Sequence, residues 1–284
     1  SSELSGLPGT KQIARVAIEG TITDDREQIA MLKKIRDAKH VEALLVFVNS
    51  PGGTTTGGES LYLALRDVAE KKPVVAQFGT VAASAGYIVG LGTDHIVARG
   101  NTITGSVGVL AQWPAISEML GKLGVKFNEV KSGELKAAPN PFEPATEDAR
   151  RVMQDTIDDG FRWFLSLVET RRGIVAQNVD GLVQGRIYSG RQALAHKLVD
   201  EIGGEREAVR WLETTRNVTK DLKVVDWKPK TEGTWSAVTG RASEAAGAAL
   251  ITALGSLINL SVDPANLGRL GLDGLVSVWQ PAEN

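Results

Sequence analysis

The residues best suited to chemistry lie in one short stretch, Gly79-Thr80-Val81-Ala82-Ala83-Ser84-Ala85-Gly86-Tyr87. An apolar strand over 74–78 precedes it, and a helix of small residues is expected over 84–91. A strand that turns abruptly into a helix lifts the first helical side chain out of the sheet and leaves the first helical N–H groups without backbone partners. Here that side chain is the hydroxyl of Ser84, with Ala82, Ala83, Ala85 and Gly86 keeping space around it. A serine at such a corner is where acyl-transfer enzymes hold a nucleophile. An isolated serine there would read as a helix N-cap, so the neighbouring elements must decide.

Two further glycine-bearing loops are expected at the carboxyl ends of adjacent strands, over 49–53 and 104–108, where open α/β sheets place their sites. In Asn49-Ser50-Pro51-Gly52-Gly53 the glycine pair lets a backbone N–H point into a cleft, because no side chain blocks approach. The amides of Gly53 and Ala85 would then be two donors for an oxyanion beside Ser84, each worth roughly 3–4 kcal/mol to a transition state. A nucleophilic serine also needs a base. An ordinary lysine is almost fully protonated at neutral pH, so a lysine base must sit in a dry pocket that disfavours its charge. Among the loop lysines Lys136 has the suitable setting, between Leu135, Ala137, Ala138 and Pro139. Lys131, beside Ser132 and near Glu134, reads as solvated.

Composition narrows the choice. The chain has 284 residues, 42% of them hydrophobic, enough for one large domain with an appendage. A net charge of −2 with mixed signs argues against a nucleic-acid surface. With no cysteine, disulfides, thiolate metal sites and a cysteine nucleophile are excluded. The three histidines, His40, His95 and His196, form no ligand-like pair, so neither a metal nor another cofactor is expected.

The elements that must position Ser84 alternate. Strands are expected over 13–18, 43–48, 74–78 and 95–98, with helices over 26–38, 58–71 and 84–91 between them. This pattern means right-handed crossovers and a largely parallel sheet. Beyond it come a turn over 20–23, a strand or loop over 102–109, a helix over 114–122, a strand over 126–130 and a loop over 131–141. A long helix capped by Thr146 follows, then helices over 192–196 and 205–216 and a strand over 222–226. The chain divides into a domain over 1–226 and an extension over 227–284. In the extension, 242–260 is rich in alanine and glycine and carries no charge after Glu244 until Asp263. It is a poor membrane span and reads as a helix packed on another subunit, on a membrane surface or in a core.

Five stretches taken together resemble the signal peptide peptidase A family: Val46-Phe47-Val48-Asn49-Ser50-Pro51-Gly52-Gly53, Ala82-Ala83-Ser84-Ala85-Gly86-Tyr87, Ile103-Thr104-Gly105-Ser106-Val107-Gly108-Val109, Lys131-Ser132-Gly133-Glu134-Leu135-Lys136 and Gly185-Arg186-Ile187-Tyr188-Ser189-Gly190-Arg191-Gln192-Ala193. The family consists of serine proteases with a Ser–Lys dyad on a ClpP/crotonase-like α/β fold of repeated β-β-α units, here followed by a C-terminal helical extension. The resemblance implies Ser84 as nucleophile, Lys136 as general base, the Gly53 and Ala85 amides as oxyanion hole, and Ser106 as the group orienting the lysine. It implies apolar signal-peptide remnants as substrates and a ring-shaped homo-oligomer whose subunits complete each other's sites. It also implies attachment to the cytoplasmic membrane through an anchor outside this sequence, with the catalytic part on the extracytoplasmic, periplasmic side. Ala137, Asn140-Pro141 and Glu143 depart from the family's loop pattern.

Other readings share the fold. A crotonase-type acyl-CoA enzyme uses the same paired amides but usually places carboxylates near its site. A non-catalytic assembly scaffold would be indifferent to Ser84→Ala. A phage head-maturation protease would keep the dyad and change the substrate.

Overall fold

The computed structural model describes residues 10–229 and 276–278. Its centre is β2 (Val41–Thr54), whose apolar run is covered on both faces. β1 (Gln12–Ile22) and β3 (Val74–Ala83) flank it in parallel, and β8 (Lys223–Asp226) extends the sheet beyond β1. Along its outer edge β3 is paired first by β4 (His95–Ala98) and then by β5 (Ile103–Gly105), again in parallel. β6 (Ile187–Ser189) lies antiparallel to β5, and β7 (Glu201–Ile202) parallel to β4. The largely parallel α/β sheet expected from the alternation is therefore present.

Helices cover both faces because successive strand residues point opposite ways. On one side, Leu44, Val46 and Val48 of β2 pack with α1 (Arg26–Asp37), α2 (Thr55–Ala69), α3 (Ala85–Leu91) and α5 (Glu147–Arg172). On the other, Ala43 and Leu45 meet Ala208 and Leu212 of α7 (Glu205–Thr215). Asp25 caps α1 by accepting from the amides of Glu27 and Gln28, and Thr146 caps α5 by accepting from Ala149. The other α-helices among the described residues are the short α4 (Ser117–Lys122) and α6 (Gly190–Ala195).

Several expectations need correction. The stretches 49–53 and 79–83, read as loops, are strand: β2 and β3 continue through them, with a register shift between Val48 and Ser50 absorbing the irregular residues. Likewise the expected turn over 20–23 is mostly β1, which shifts register between Glu19 and Thr21 and runs on to Ile22. The strand expected over 126–130 does not form, and among the described residues no strand lies beside it. The helical reading of 242–260 lies outside the described residues. One short strand of the extension is described, β9 (Val276–Val278), which pairs antiparallel with the end of β2.

Candidate active site

Ser50 is the last residue of β2 to pair with β3, opposite Ala82. Beyond it the strands diverge: β2 runs on beside β1, and β3 turns at Ser84 into α3. Ser84 has φ 57° and ψ −120°, a region that costs a non-glycine residue about 1–3 kcal/mol. The corner is held by hydrogen bonds around it. The Ser84 amide donates to the Gly105 carbonyl at 2.9 Å, while the Ser84 carbonyl accepts from Tyr87 and Ile88. The side chain is 1% exposed. The amides of Ala85 and Gly86 precede the first intrahelical bonds of α3.

The far wall is the end of β2. The Ser50 hydroxyl accepts from the Gly52 amide at 3.1 Å, fixing the bend into the glycine pair. Gly52 has φ +125°, and a β-carbon on Gly53 would lie 1.9 Å from the Ile22 carbonyl oxygen, so β1 and β2 meet too closely there for any side chain. α3 presses equally close: a β-carbon on Gly86 would lie 2.8 Å from the Ser50 carbonyl oxygen. The Asn49 side-chain oxygen accepts from the amides of Thr80 and Val81, tying β2 to β3 across the register shift. Asn49 and Ser50 are positioning residues that the sequence reading passed over, although Asn-Ser ahead of Pro-Gly-Gly is a pattern for such side-chain-to-backbone bonds.

β5 supplies the third wall. Thr104 donates from its hydroxyl to the Ala82 carbonyl at 2.6 Å, and Ser106 follows Gly105 with φ 52°. The Ser106 amide donates to the Arg186 carbonyl at 3.0 Å. Beneath the corner, Tyr87 is fully buried and donates to the Leu198 carbonyl at 2.8 Å; burial pushes its pKa up, so it stays a neutral donor. The structure thus brings Ser84, Ala85, Gly53 and Ser106 to one end of the sheet.

Lys136 comes from a different part of the chain. It lies in a turn of an exposed arm, residues 110–146, with its side chain exposed and with no hydrogen bond or ion pair from its ammonium group among the described residues. Lys131, read as solvated, is the more sheltered of the two: its side chain is 18% exposed and ion-paired to Glu129 and, at 2.6 Å, to Glu143. Asn140 also donates to Glu143, at 2.7 Å, and together these partners hold the Glu143 carboxyl below the usual range. Two of the residues that depart from the family pattern therefore brace the arm. Apolar side chains line it and stay exposed, among them Leu123, Val125, Phe127 and Val130. Among the described residues no group of three or more His, Asp or Glu gathers as a metal site, and no helix is long and apolar enough to cross a membrane.

An α/β sheet of this order is of the ClpP/crotonase-like kind, and the strained Ser84 stands at the end of its central strands. A model of peptidase family S49 matches residues 66–219, and the chain belongs to that family. It is 35% identical over 239 residues to "Putative signal peptide peptidase SppA" of Enterococcus faecium, covering 78% of this chain and 69% of the relative. It is also 35% identical over 226 residues to "Protease 4" of Haemophilus influenzae, with 76% of this chain matched; that protein is longer, and the chain spans only 37% of it. Among solved structures, a membrane-bound stomatin-specific protease superposes with a TM-score of 0.50 at 15% identity, covering 78% of this chain and 99% of that one. The protein is accordingly a serine protease.

Proposed function

We propose that the chain cleaves apolar peptides, such as the remnants of signal peptides, with a Ser84–Lys136 dyad assembled between neighbouring copies. The observation that carries this reading is the pairing of a strained, buried Ser84 with an exposed Lys136 on an apolar arm. A solvated ammonium cannot act as a base near neutrality. Docking of the arm onto the next copy would bury its apolar side chains and place Lys136 of the partner subunit in a dry site beside Ser84. Rings built from such head-to-tail contacts are closed assemblies in which each subunit both gives and receives.

In the proposed reaction the neutral lysine takes the Ser84 proton as the hydroxyl oxygen attacks the peptide carbonyl. The amides of Gly53 and Ala85 receive the developing oxyanion, and Ser106 orients the lysine. Collapse expels the amine, which takes the proton back from the lysine, and water then hydrolyses the acyl-serine by the same route. Membrane attachment through a segment outside this sequence, with the catalytic part on the extracytoplasmic side, belongs to the same proposal. The test is peptide cleavage by the purified chain and by Ser84→Ala and Lys136→Ala variants. Both variants should be inactive yet still assembled, and activity retained in either would overturn the dyad. Acyl-CoA binding in calorimetry without serine labelling by a fluorophosphonate would favour the acyl-CoA reading.

A further inference from the structure

Each edge of the last residues of β2 has a partner of a different kind. On one edge, Gly52 and Gly53 pair in parallel with Thr21 and Ile22 of β1. The opposite edge belongs to β3 only as far as Ser50, where β3 leaves to form the Ser84 corner. The vacated edge is taken by β9: Val278, Ser277 and Val276 run antiparallel opposite Gly52, Gly53 and Thr54. Because β1 fills the first edge at the same residues, β9 lies on the side from which β3 turned away to form the Ser84 corner.

A strand edge next to a nucleophile is where an extended peptide adds to a sheet, since its backbone satisfies the exposed N–H and C=O groups there. We infer that Val276–Val278 is an intramolecular occupant of the substrate-strand position, so that the chain's own tail competes with incoming peptides. This rests on the reading of the Ser84 corner as a peptidase site. A tethered strand competes intramolecularly, at an effective concentration set by the length of its tether. An added peptide must displace it, which raises the apparent KM and leaves kcat unchanged. Latency of this kind restrains cleavage of scarce or weakly bound peptides and gives way when substrate accumulates.

The absence of cysteine from the sequence allows a direct test on the full chain. Thr54 and Val276 are paired in register, and directly opposed residues of antiparallel strands have Cα atoms about 4.5–5.5 Å apart, within disulfide range. A Thr54→Cys, Val276→Cys variant should therefore bridge within one chain on mild oxidation, much faster than Thr54→Cys with Val278→Cys. Oxidation should lower peptide turnover at least about tenfold, and reduction should restore it. In a second variant, Ser277→Pro with Val278→Pro removes two consecutive N–H donors, one of which must face β2. It should lower the KM for added peptide severalfold at unchanged kcat. Bridging only between chains, or no preference for the in-register pair, would overturn the inference, as would an unchanged KM in an otherwise active proline variant. In-register bridging within one chain without peptide turnover in any variant would support the tail's placement and count against the peptidase reading instead.

Discussion

Ser50 and Ala82 are the last residues at which the two central strands face each other, and the site is built in the gap that opens after them. The gap holds open because neither side can relax. β1 closes on Gly53 from one flank, and the first turn of α3 is pressed onto the Ser50 carbonyl through Gly86 on the other. The strained backbone at Ser84 is kept in place by these contacts and by the Gly105 carbonyl that receives its amide.

Mixing inactive variants should reveal a shared site. If each dyad takes Ser84 from one copy and Lys136 from the next, co-assembled Ser84→Ala and Lys136→Ala chains contain some intact sites, about a quarter of the total in a random ring. Activity should return to about that fraction in a peptide-cleavage assay after the two are unfolded and refolded together. No recovery, with mixed assembly shown by differential tagging, would mean the dyad forms within one chain or not at all.

Gly53→Ala should remove activity by way of the backbone. The added methyl would need the space held by Ile22. Overpacking of this kind costs about 1–3 kcal/mol, and displacement of an oxyanion donor lowers kcat about 10²–10³-fold. Thermal melts and kcat measured together should show a folded protein with a modestly lowered Tm and a far larger loss of rate.

Charging the arm should break assembly without unfolding the core. Leu123→Asp with Val130→Asp alters side chains that touch little in the single chain. Circular dichroism should stay unchanged while light scattering shows monomers and cleavage is lost. A variant that still assembles and cleaves would remove the arm from the interface.

Acid should weaken the fold through His95. Its ring stacks on Trp211 at 4.6 Å, with Asp200 and Glu201 nearby, and burial holds its pKa below the ordinary histidine value despite those carboxylates. The unfolded chain therefore binds the proton more readily, so stability is full above about pH 6.5 and falls as the pH drops through and below that value. His95→Gln should flatten this part of the Tm profile between pH 7 and pH 5. An identical slope in the variant would assign the acid response to other groups.

The Ser84 corner was legible because its signal is local: an apolar run, small residues and a serine at the junction. The continuation of β2 through Ser50-Pro51-Gly52-Gly53 was not, since proline and glycine read as breakers. Only the closeness of β1, a tertiary fact, makes these glycines part of a strand. The stretch 126–130 reads as a strand, yet strand formation needs a neighbour and the described residues provide none there. Lys136 was singled out by its uncharged sequence neighbours, whereas dryness is set by what packs from a distance, and among the described residues nothing shelters it. Asn49 and the strand at Val276–Val278 act through partners about 30 and more than 200 residues away, beyond any local pattern.

The arm leads directly into α5, and near the other end of that helix Arg171 donates to the carbonyls of Leu91, the last residue of α3, and Thr93, just past it. A single unbroken helix of 26 residues, about 39 Å long, thus joins the arm's root to the far end of α3. Each residue added to such a rod would swing the arm's azimuth by about 100° and advance it by about 1.5 Å. The rod therefore sets the direction of the lysine-bearing turn relative to the sheet, and one inserted residue would rotate that direction by about 100°.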